Sequence, residues 1–231
     1  MKQQNTRIIL LSLISFTTLG LATACNSSAN NGLDSSTNNE IKSELNSESR
    51  KFIEEYNSLI LEFQNADNET QTAQKLKSLI PKLKQINSDK ERNRILISSY
   101  LRVGETEQAY KLTEEILAKE KKPNMKNFQC MLMESLRKPA SLIKGCYSEA
   151  AILYKNELNK LDPSAFTYTQ MLWGFNVNMY HAGNNEYIDH LKKIVNDQTE
   201  ENDKFMYEQL FELETNIDER QELLHTIASR I

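Results

Sequence analysis

The chain has few of the residues that break helices or form tight β turns. Six glycines and four prolines occur in 231 residues, and no run alternates apolar and polar residues for long enough to suggest a strand. Basic residues are also not in excess, since 28 of them face 32 acidic ones. An acidic balance disfavours nucleic acid as a partner, because that binding depends on neutralising phosphates with Lys and Arg. The composition therefore favours an all-α protein that does not bind nucleic acid.

Residues that carry catalysis are sparse as well. The sequence contains no HExxH or paired-histidine spacing, no glycine-rich phosphate loop and no nucleophile elbow. Glu186, Asp189 and His190 could supply a metal site or an acid–base pair. Asp189 and His190 are adjacent, however, and therefore point to different sides of a helix. A solvated helical face is the preferred interpretation, and we expect no catalytic residue, no metal site and no cofactor.

The first 24 residues have the pattern of an export signal. Lys2 and Arg7 form a positive n-region, and the apolar run 8–22 is shorter than the about 20 residues that a membrane span needs. Small residues precede Cys25, as cleavage by a signal peptidase requires. Ordinary cleavage near Ala24, which would leave a free cysteine, is the alternative to the interpretation that follows.

The segment LATAC, residues 21–25, resembles the lipobox of bacterial lipoproteins, with Ala22 where the family usually has Leu. The resemblance implies that Cys25 is diacylated and becomes the first residue of the mature chain. Two or three acyl chains anchor a protein stably, because each buried methylene contributes about 0.8 kcal/mol. Asn26 follows the cysteine, where the lipoproteins that enteric bacteria retain in the inner membrane have Asp. The resemblance thus implies an outer-membrane lipoprotein that faces the periplasm.

A polar tract follows the cysteine. Residues 25–47 are rich in Asn and Ser and have almost nothing to bury, and such a composition stays disordered. We expect a flexible tether with a span of about 25 Å, followed by a helical domain over 48–231. Removal of residues 1–24 leaves 26 basic and 32 acidic residues, a net charge of −6. That balance is compatible with a basic or mixed protein partner.

Apolar residues in the domain recur at the three-and-four spacing of a helix face. One stripe runs over 52–63 and a second over 73–86. Ser88, with Glu91 three residues later, has the pattern of a capping box and predicts the start of a third helix. The segment from residue 200 onward predicts two closing helices that form a C-terminal cap.

A glycine followed five residues later by a small or apolar residue recurs at three places. These segments resemble the tetratricopeptide repeat, in which a glycine ends the first of two antiparallel helices and an alanine lets the second helix approach closely. The resemblance implies an α-solenoid of helix pairs. The glycines are 41 and 38 residues apart, longer than the family's period of 34, so the units are degenerate and other α-solenoid pairs remain open. The three pairs are Gly104 with Ala109, Gly145 with Ala150, and Gly183 with Ile188.

Two cysteines remain besides Cys25. An exported protein lies in an oxidising compartment, where paired thiols tend to oxidise. Lys138 and Pro139 lie between Cys130 and Cys146 and could turn the chain back, so that the two cysteines approach each other. We favour a disulfide between them; two separate buried thiols are the alternative.

The segment 164–184 contains no Asp, Glu, Lys or Arg, in a chain of which 26% is charged. It holds the only tryptophan, Trp173, together with Tyr180. One interpretation is a helix buried in the centre of the array. The other is an aromatic partner-binding face, because Trp and Tyr are enriched among binding hot spots. Trp173 and Tyr180 are the candidate partner-binding residues under the second interpretation.

These features predict a membrane-anchored, non-enzymatic protein-binding module, because α-solenoids expose extended surfaces that bind partners. By analogy with known lipoproteins, two roles fit. One is an immunity protein that captures a toxic effector, as for phospholipase effectors of type VI secretion. The other is an envelope scaffold or assembly factor. We prefer immunity, because a short array of degenerate repeats suits one dedicated partner. An enzyme is the distant alternative, which a histidine with buried carboxylates in a cleft would favour.

Overall fold

The structure is a computed structural model that describes residues 45–65, 69–165 and 167–228. These ranges form ten helices with no strand, so the all-α prediction is confirmed. The signal segment 1–24, Cys25 and all but the last three residues of the predicted tether lie outside the described residues. No helix in the described ranges is long and apolar enough to cross a membrane. The helices are α1 (Ser47–Asn65), α2 (Glu69–Leu83), α3 (Asp89–Arg102), α4 (Thr106–Lys119), α5 (Pro123–Ser135), α6 (Ala140–Leu158), α7 (Tyr168–His181), α8 (Tyr187–Asn196), α9 (Glu201–Thr215) and α10 (Ile217–Ala228).

Each helix packs against the next one in the chain, from α1 to α10, which is the arrangement of a solenoid-like array. The stripe predicted over 52–63 lies on α1, and the stripe predicted over 73–86 lies on α2 except for Ile86, which follows the end of that helix and is buried. Ser88 caps α3 as its spacing with Glu91 predicts, since its side-chain oxygen accepts a hydrogen bond from the Glu91 backbone N–H at 3.4 Å. The two predicted closing helices are α9 and α10.

The last helix also returns to the middle of the array, where α10 packs against α5. The Thr106 hydroxyl donates to the backbone carbonyl of Ile227 at 3.3 Å, and the Ser135 hydroxyl donates to that of Leu224 at 3.1 Å. The side chains of α10 thereby complete the main core, which α1 to α5 otherwise form. Its buried members include Leu76, Leu83, Ile86, Ile95, Leu132, Leu223 and Ile227.

Two of the three glycines in the repeat pattern lie where the resemblance implies. Gly104 follows α3 with φ 73°, and Gly183 follows α7 with φ 105°, in the left-handed region that glycine adopts without a Cβ penalty. Gly145 lies inside α6, so the prediction that it ends a helix is wrong. The turn between α5 and α6 contains Arg137, whose φ of 53° supplies the left-handed conformation there. Because an arginine and not a glycine occupies that position, the sequence carries no glycine signal for this turn.

Candidate functional site

A groove of about 350 Å³ lies between α3 and α4 and reaches the end of α2. The lining residues of each helix recur at the spacing of a helix face, so each of the two helices turns one face toward the groove. Its floor is apolar. Leu96 and Tyr100 of α3 are buried there, and Leu112 and Ile116 of α4 are half-buried.

Charged side chains line the walls of the groove. Four are basic, Lys84, Arg92, Lys111 and Lys119, and Glu115 is the one acidic lining residue. This ratio is the reverse of the balance in the whole chain, where acidic residues outnumber basic ones. The groove is therefore a basic recess on an acidic protein.

Only half of this basic charge is paired within the described part of the chain. Asp89 lies beside the groove and accepts from Arg92 at 2.5 Å and from Lys119 at 3.3 Å. Hydrogen bonds from Arg92 and then Lys119 lower the pKa of Asp89 below its ordinary value. Lys84 and Lys111 are exposed, and neither has an ion-pair or hydrogen-bond partner for its ammonium group among the described residues. Two cations of the groove are therefore available to a ligand.

Two amide side chains of the lining are also without a partner among the described residues. Asn93 extends from α3 and Gln108 from α4, and each carries two N–H donors and one carbonyl acceptor. Amides in such positions can pair with a backbone or a polar side chain of a bound molecule. The groove thus combines an apolar floor with cations and amides that no described residue engages.

A second, shallower recess of about 430 Å³ lies at the start of α4. Its two carboxylates are already paired. Lys77 contacts Glu105 at 2.8 Å, and Lys138 contacts Glu107 at 3.2 Å. This recess therefore leaves less unpaired charge for a ligand than the groove between α3 and α4.

A buried polar cluster lies elsewhere, where five helices meet. Its centre is Arg220 of α10, which is 8% exposed. The guanidinium contacts both oxygens of Glu134 at 3.3 Å, donates to the Tyr147 hydroxyl at 2.7 Å and forms a further ion pair with Glu214. His181 of α7 completes the cluster through Nε2, which lies 2.7 Å from the same oxygen of Glu214.

The charges of this buried polar cluster compensate one another. Burial alone would raise the pKa of Glu214, but Arg220 and His181 outweigh it and bring the pKa down to about 2. Burial likewise disfavours the charged form of Arg220, and the facing Glu214, Tyr147 and Glu134 reverse that effect and raise its pKa. Burial raises the pKa of Tyr147 well above its ordinary range. Glu214 and Arg220 are therefore held as ions, and Tyr147 is held as a neutral phenol.

A histidine beside buried carboxylates is the feature that would favour an enzyme. Here the carboxylates of Glu134 and Glu214 are engaged by Arg220, and neither the groove nor the shallower recess is lined by any member of the cluster. His181 and Glu214 each keep 12% of the side chain exposed. The arrangement joins α5, α6, α7, α9 and α10, and its immediate consequence is to hold the returning helix α10 in place.

The two candidate partner-binding aromatics of α7 do not form an exposed face. Trp173 is buried, with its ring 5.1 Å from that of Tyr207 in a small core formed by α7, α8 and α9. Tyr180 is half-buried and packs against the same core. Trp173 is thus a packing residue, as the buried-helix interpretation holds, and it does not form the exposed aromatic face of the other interpretation.

The acidic group around His190 is dispersed. Asp189 is exposed and pairs with Lys192 at 3.5 Å, while the His190 ring lies 5.1 Å from that of Tyr187. Glu186 lies at the N-terminus of α8 and is exposed. In the part of the chain that the structure describes, no three His, Cys, Asp or Glu side chains are arranged to hold a metal ion.

The two domain cysteines are brought together. Cys130 of α5 and Cys146 of α6 have their sulfur atoms 2.07 Å apart, which is the separation of a disulfide bond. The chain reverses between them in the turn at 136–139, where the sequence places Lys138 and Pro139. The pair lies next to Tyr147 and therefore ties α5 to α6 beside the buried polar cluster.

No protein-family model matches the chain, and no curated protein and no solved structure is significantly similar to it. What the chain does must therefore be inferred from its own residues.

Sequence reasoning missed both the groove and the buried polar cluster. The stripe of α4 that lines the groove mixes charged and apolar residues, which is also the pattern of an ordinary amphipathic helix. The cluster unites Glu134, Tyr147, His181, Glu214 and Arg220 from five helices. No local spacing relates residues so far apart in the chain. The one available signal was Arg220 itself, the single arginine in the sequences of the two closing helices.

Proposed function

We propose that the protein is a membrane-anchored lipoprotein that binds another protein through the groove between α3 and α4, and that the bound protein is a toxic effector which it neutralises. The observation that carries the proposal is the groove itself. An apolar floor with free polar groups at its walls has the anatomy of a protein-binding surface, in which an apolar centre is surrounded by a polar rim. Lys84 and Lys111 provide charge that pairs with no other residue that the structure describes.

The lipid at Cys25 would supply location and leave the contact itself to the helical domain. The support for it is the resemblance of LATAC to a lipobox. A chain anchored at the periplasmic face of the outer membrane would be placed to meet a protein that enters the periplasm. The tetratricopeptide-like helix pairs would form the scaffold on which the groove is built.

The alternative role is an envelope scaffold of the tetratricopeptide type, which would use the same groove. The two roles differ in the identity of the partner. An enzyme is the more distant alternative, favoured by the His181–Glu214 contact and opposed by the engagement of Glu214 with Arg220.

The experiment is recovery of the partner from the native envelope. Full-length lipidated protein is crosslinked in cells, solubilised in detergent and purified, and co-purifying proteins are identified by mass spectrometry. We expect one dominant partner with a dissociation constant between low micromolar and nanomolar, about −8 to −12 kcal/mol. If the role is immunity, the partner should stop growth when it is produced in the periplasm without this chain. Growth should return when the two proteins are produced together.

Cys25→Ser is the matched variant for the anchor. It should abolish acyl labelling and leave an uncleaved precursor, whereas globomycin, which blocks cleavage and not acylation, should leave an uncleaved precursor that keeps the acyl label. Wild-type protein that is soluble in the periplasm without an acyl label would contradict the lipoprotein assignment. Recovery of an envelope-assembly component would favour the scaffold role, whereas hydrolase activity of the purified protein without any specific partner would contradict binding as the function.

A further inference from the structure

We infer that the groove between α3 and α4 binds an acidic segment of the partner, with carboxylates on Lys84 and Lys111 and one apolar side chain on the floor at Leu112 and Ile116. The inference rests on the proposed function and names the chemistry that the partner must present. It follows from the charge, the shape and the unpaired groups of the groove.

Charge complementarity is the first argument. Basic residues outnumber the single acidic one in the lining, whereas the chain as a whole has four more acidic than basic residues. Arg92 and Lys119 are occupied by Asp89, so the attraction for a ligand carboxylate is strongest at Lys84 and Lys111. An ammonium that is exposed and unpaired loses little hydration when an acidic ligand arrives, and electrostatic attraction also speeds the encounter.

The shape of the recess selects a segment of chain over a flat anionic surface. A volume of about 350 Å³ holds a few side chains. The headgroups of a bilayer form an extended plane that cannot enter such a recess, and they offer nothing apolar to a floor below the cations. The buried Leu96 and Tyr100 and the half-buried Leu112 and Ile116 instead suit an apolar anchor residue flanked by acidic ones.

The presence of Glu115 in the groove disfavours a simple polyanion as the ligand. It lies in the same lining as the lysines, one helical turn from Lys111, and has no partner among the described residues. A dense cluster of phosphates would be repelled by this carboxylate. A peptide carries N–H donors as well as carboxylates, so it can satisfy Glu115 while Asn93 and Gln108 pair with its backbone.

The test selects ligands from a library of random peptides displayed on phage, with the purified full chain in detergent as bait. We expect enrichment of peptides with two or more Asp or Glu residues around an aliphatic or aromatic residue. Their binding should weaken with salt and fall at least about tenfold on the double variant Lys84→Glu/Lys111→Glu, because like charges would then face each other. The matched control is Lys51→Glu/Lys144→Glu, which makes the same charge change at exposed lysines of α1 and α6 and should leave binding unchanged.

Several outcomes overturn the inference. It is contradicted if the selected peptides are not enriched in acidic residues, or if no peptide is selected. It is also contradicted if binding survives the charge reversal of Lys84 and Lys111. Vesicles of anionic phospholipid are assayed in parallel. If the vesicles bind the wild-type chain and the control variant but not the groove variant, the groove binds a membrane surface instead of a peptide. If the native partner from the envelope still binds the groove variant, this inference fails while the proposed protein-binding function stands.

Discussion

The groove and the buried polar cluster use charge in opposite ways. In the cluster, Arg220 faces two carboxylates and a tyrosine, and all of these groups are largely shielded from water. In the groove, Lys84 and Lys111 are exposed and have no partner among the described residues. Charge that is compensated within the fold supports the fold, and charge that is left uncompensated at a recess is available for recognition.

The physical reason for the difference is desolvation. A buried charge without a counter-ion costs several kcal/mol, so each charged member of the cluster requires the others. A charge at the surface stays hydrated, and a pair formed there contributes about 0–1 kcal/mol. Variants at the two places should therefore affect different properties: stability for the cluster and binding for the groove.

The largest effect is expected for Arg220→Met. The change leaves the largely buried carboxylates of Glu134 and Glu214 without their guanidinium partner, and we expect the free energy of unfolding to fall by about 3–5 kcal/mol. Urea denaturation followed by circular dichroism measures it. The matched control is Arg94→Met, which removes an arginine whose pair with Glu91 is half exposed and should cost less than about 1 kcal/mol. Equal losses for the two variants would show that the cluster contributes nothing special to stability.

The second effect concerns acid. The pKa of Glu214 is lowered from its ordinary value of 4.5 to about 2 in the folded chain. The unfolded state therefore binds the proton more readily, so the stabilisation is complete above about pH 4.5 and is lost as the pH falls toward 2. The shift corresponds to about 3 kcal/mol. The free energy of unfolding should fall more steeply with decreasing pH for the wild type than for Glu214→Gln, because the variant has no carboxyl to titrate at this position. If the free energies of unfolding of the two proteins depend on pH in the same way, the lowered pKa of Glu214 is contradicted.

How far the sequence predicts the fold depends on whether the signal is local. The apolar stripes of α1 and α2 and the Ser88 cap were recognised because each depends on residues three or four apart. Gly145 misled because glycine permits a left-handed turn without requiring one, and here it lies inside α6. Arg137 adopts that conformation instead, which no composition rule would indicate.

The sites were harder to foresee than the helices, because they depend on which helices meet. Nothing near Arg220 in the sequence indicates that α10 returns to α5 and brings it to Glu134. Trp173 was ambiguous for the same reason, since a hot spot and a core residue have the same local pattern. The cysteines were the exception, because only two were available to pair within the domain.

A third, smaller effect tests the close packing beside the cluster. A Cβ at Gly174 of α7 would clash with the ring of Tyr154 of α6, whose hydroxyl donates to the Asn124 side-chain oxygen at 2.7 Å. We expect Gly174→Ala to cost about 1–3 kcal/mol through overpacking. A Cβ at Gly145 would meet nothing within 4 Å, so Gly145→Ala should stabilise the helix by about 0.5–1 kcal/mol.

The two glycines are compared by thermal and urea unfolding, and opposite signs are expected. A further variant distinguishes the clash from a general effect on α7. In the background of Tyr154→Leu, which removes the ring, the loss from Gly174→Ala should shrink, since the two positions are in direct contact. An unchanged loss in that background would place its cause outside the α6–α7 contact.

The smallest effect on stability is expected in the groove. Lys84→Met/Lys111→Met removes two cations that pair with no described residue, so the free energy of unfolding should change by no more than about 0.5 kcal/mol per site. Partner binding should nevertheless weaken and lose part of its salt dependence, because the remaining cations, Arg92 and Lys119, are held by Asp89. The measurements are urea denaturation and a binding titration at two salt concentrations. A loss of stability as large as that of Arg220→Met would mean that these lysines support the fold, and the distinction between the two regions would then fail.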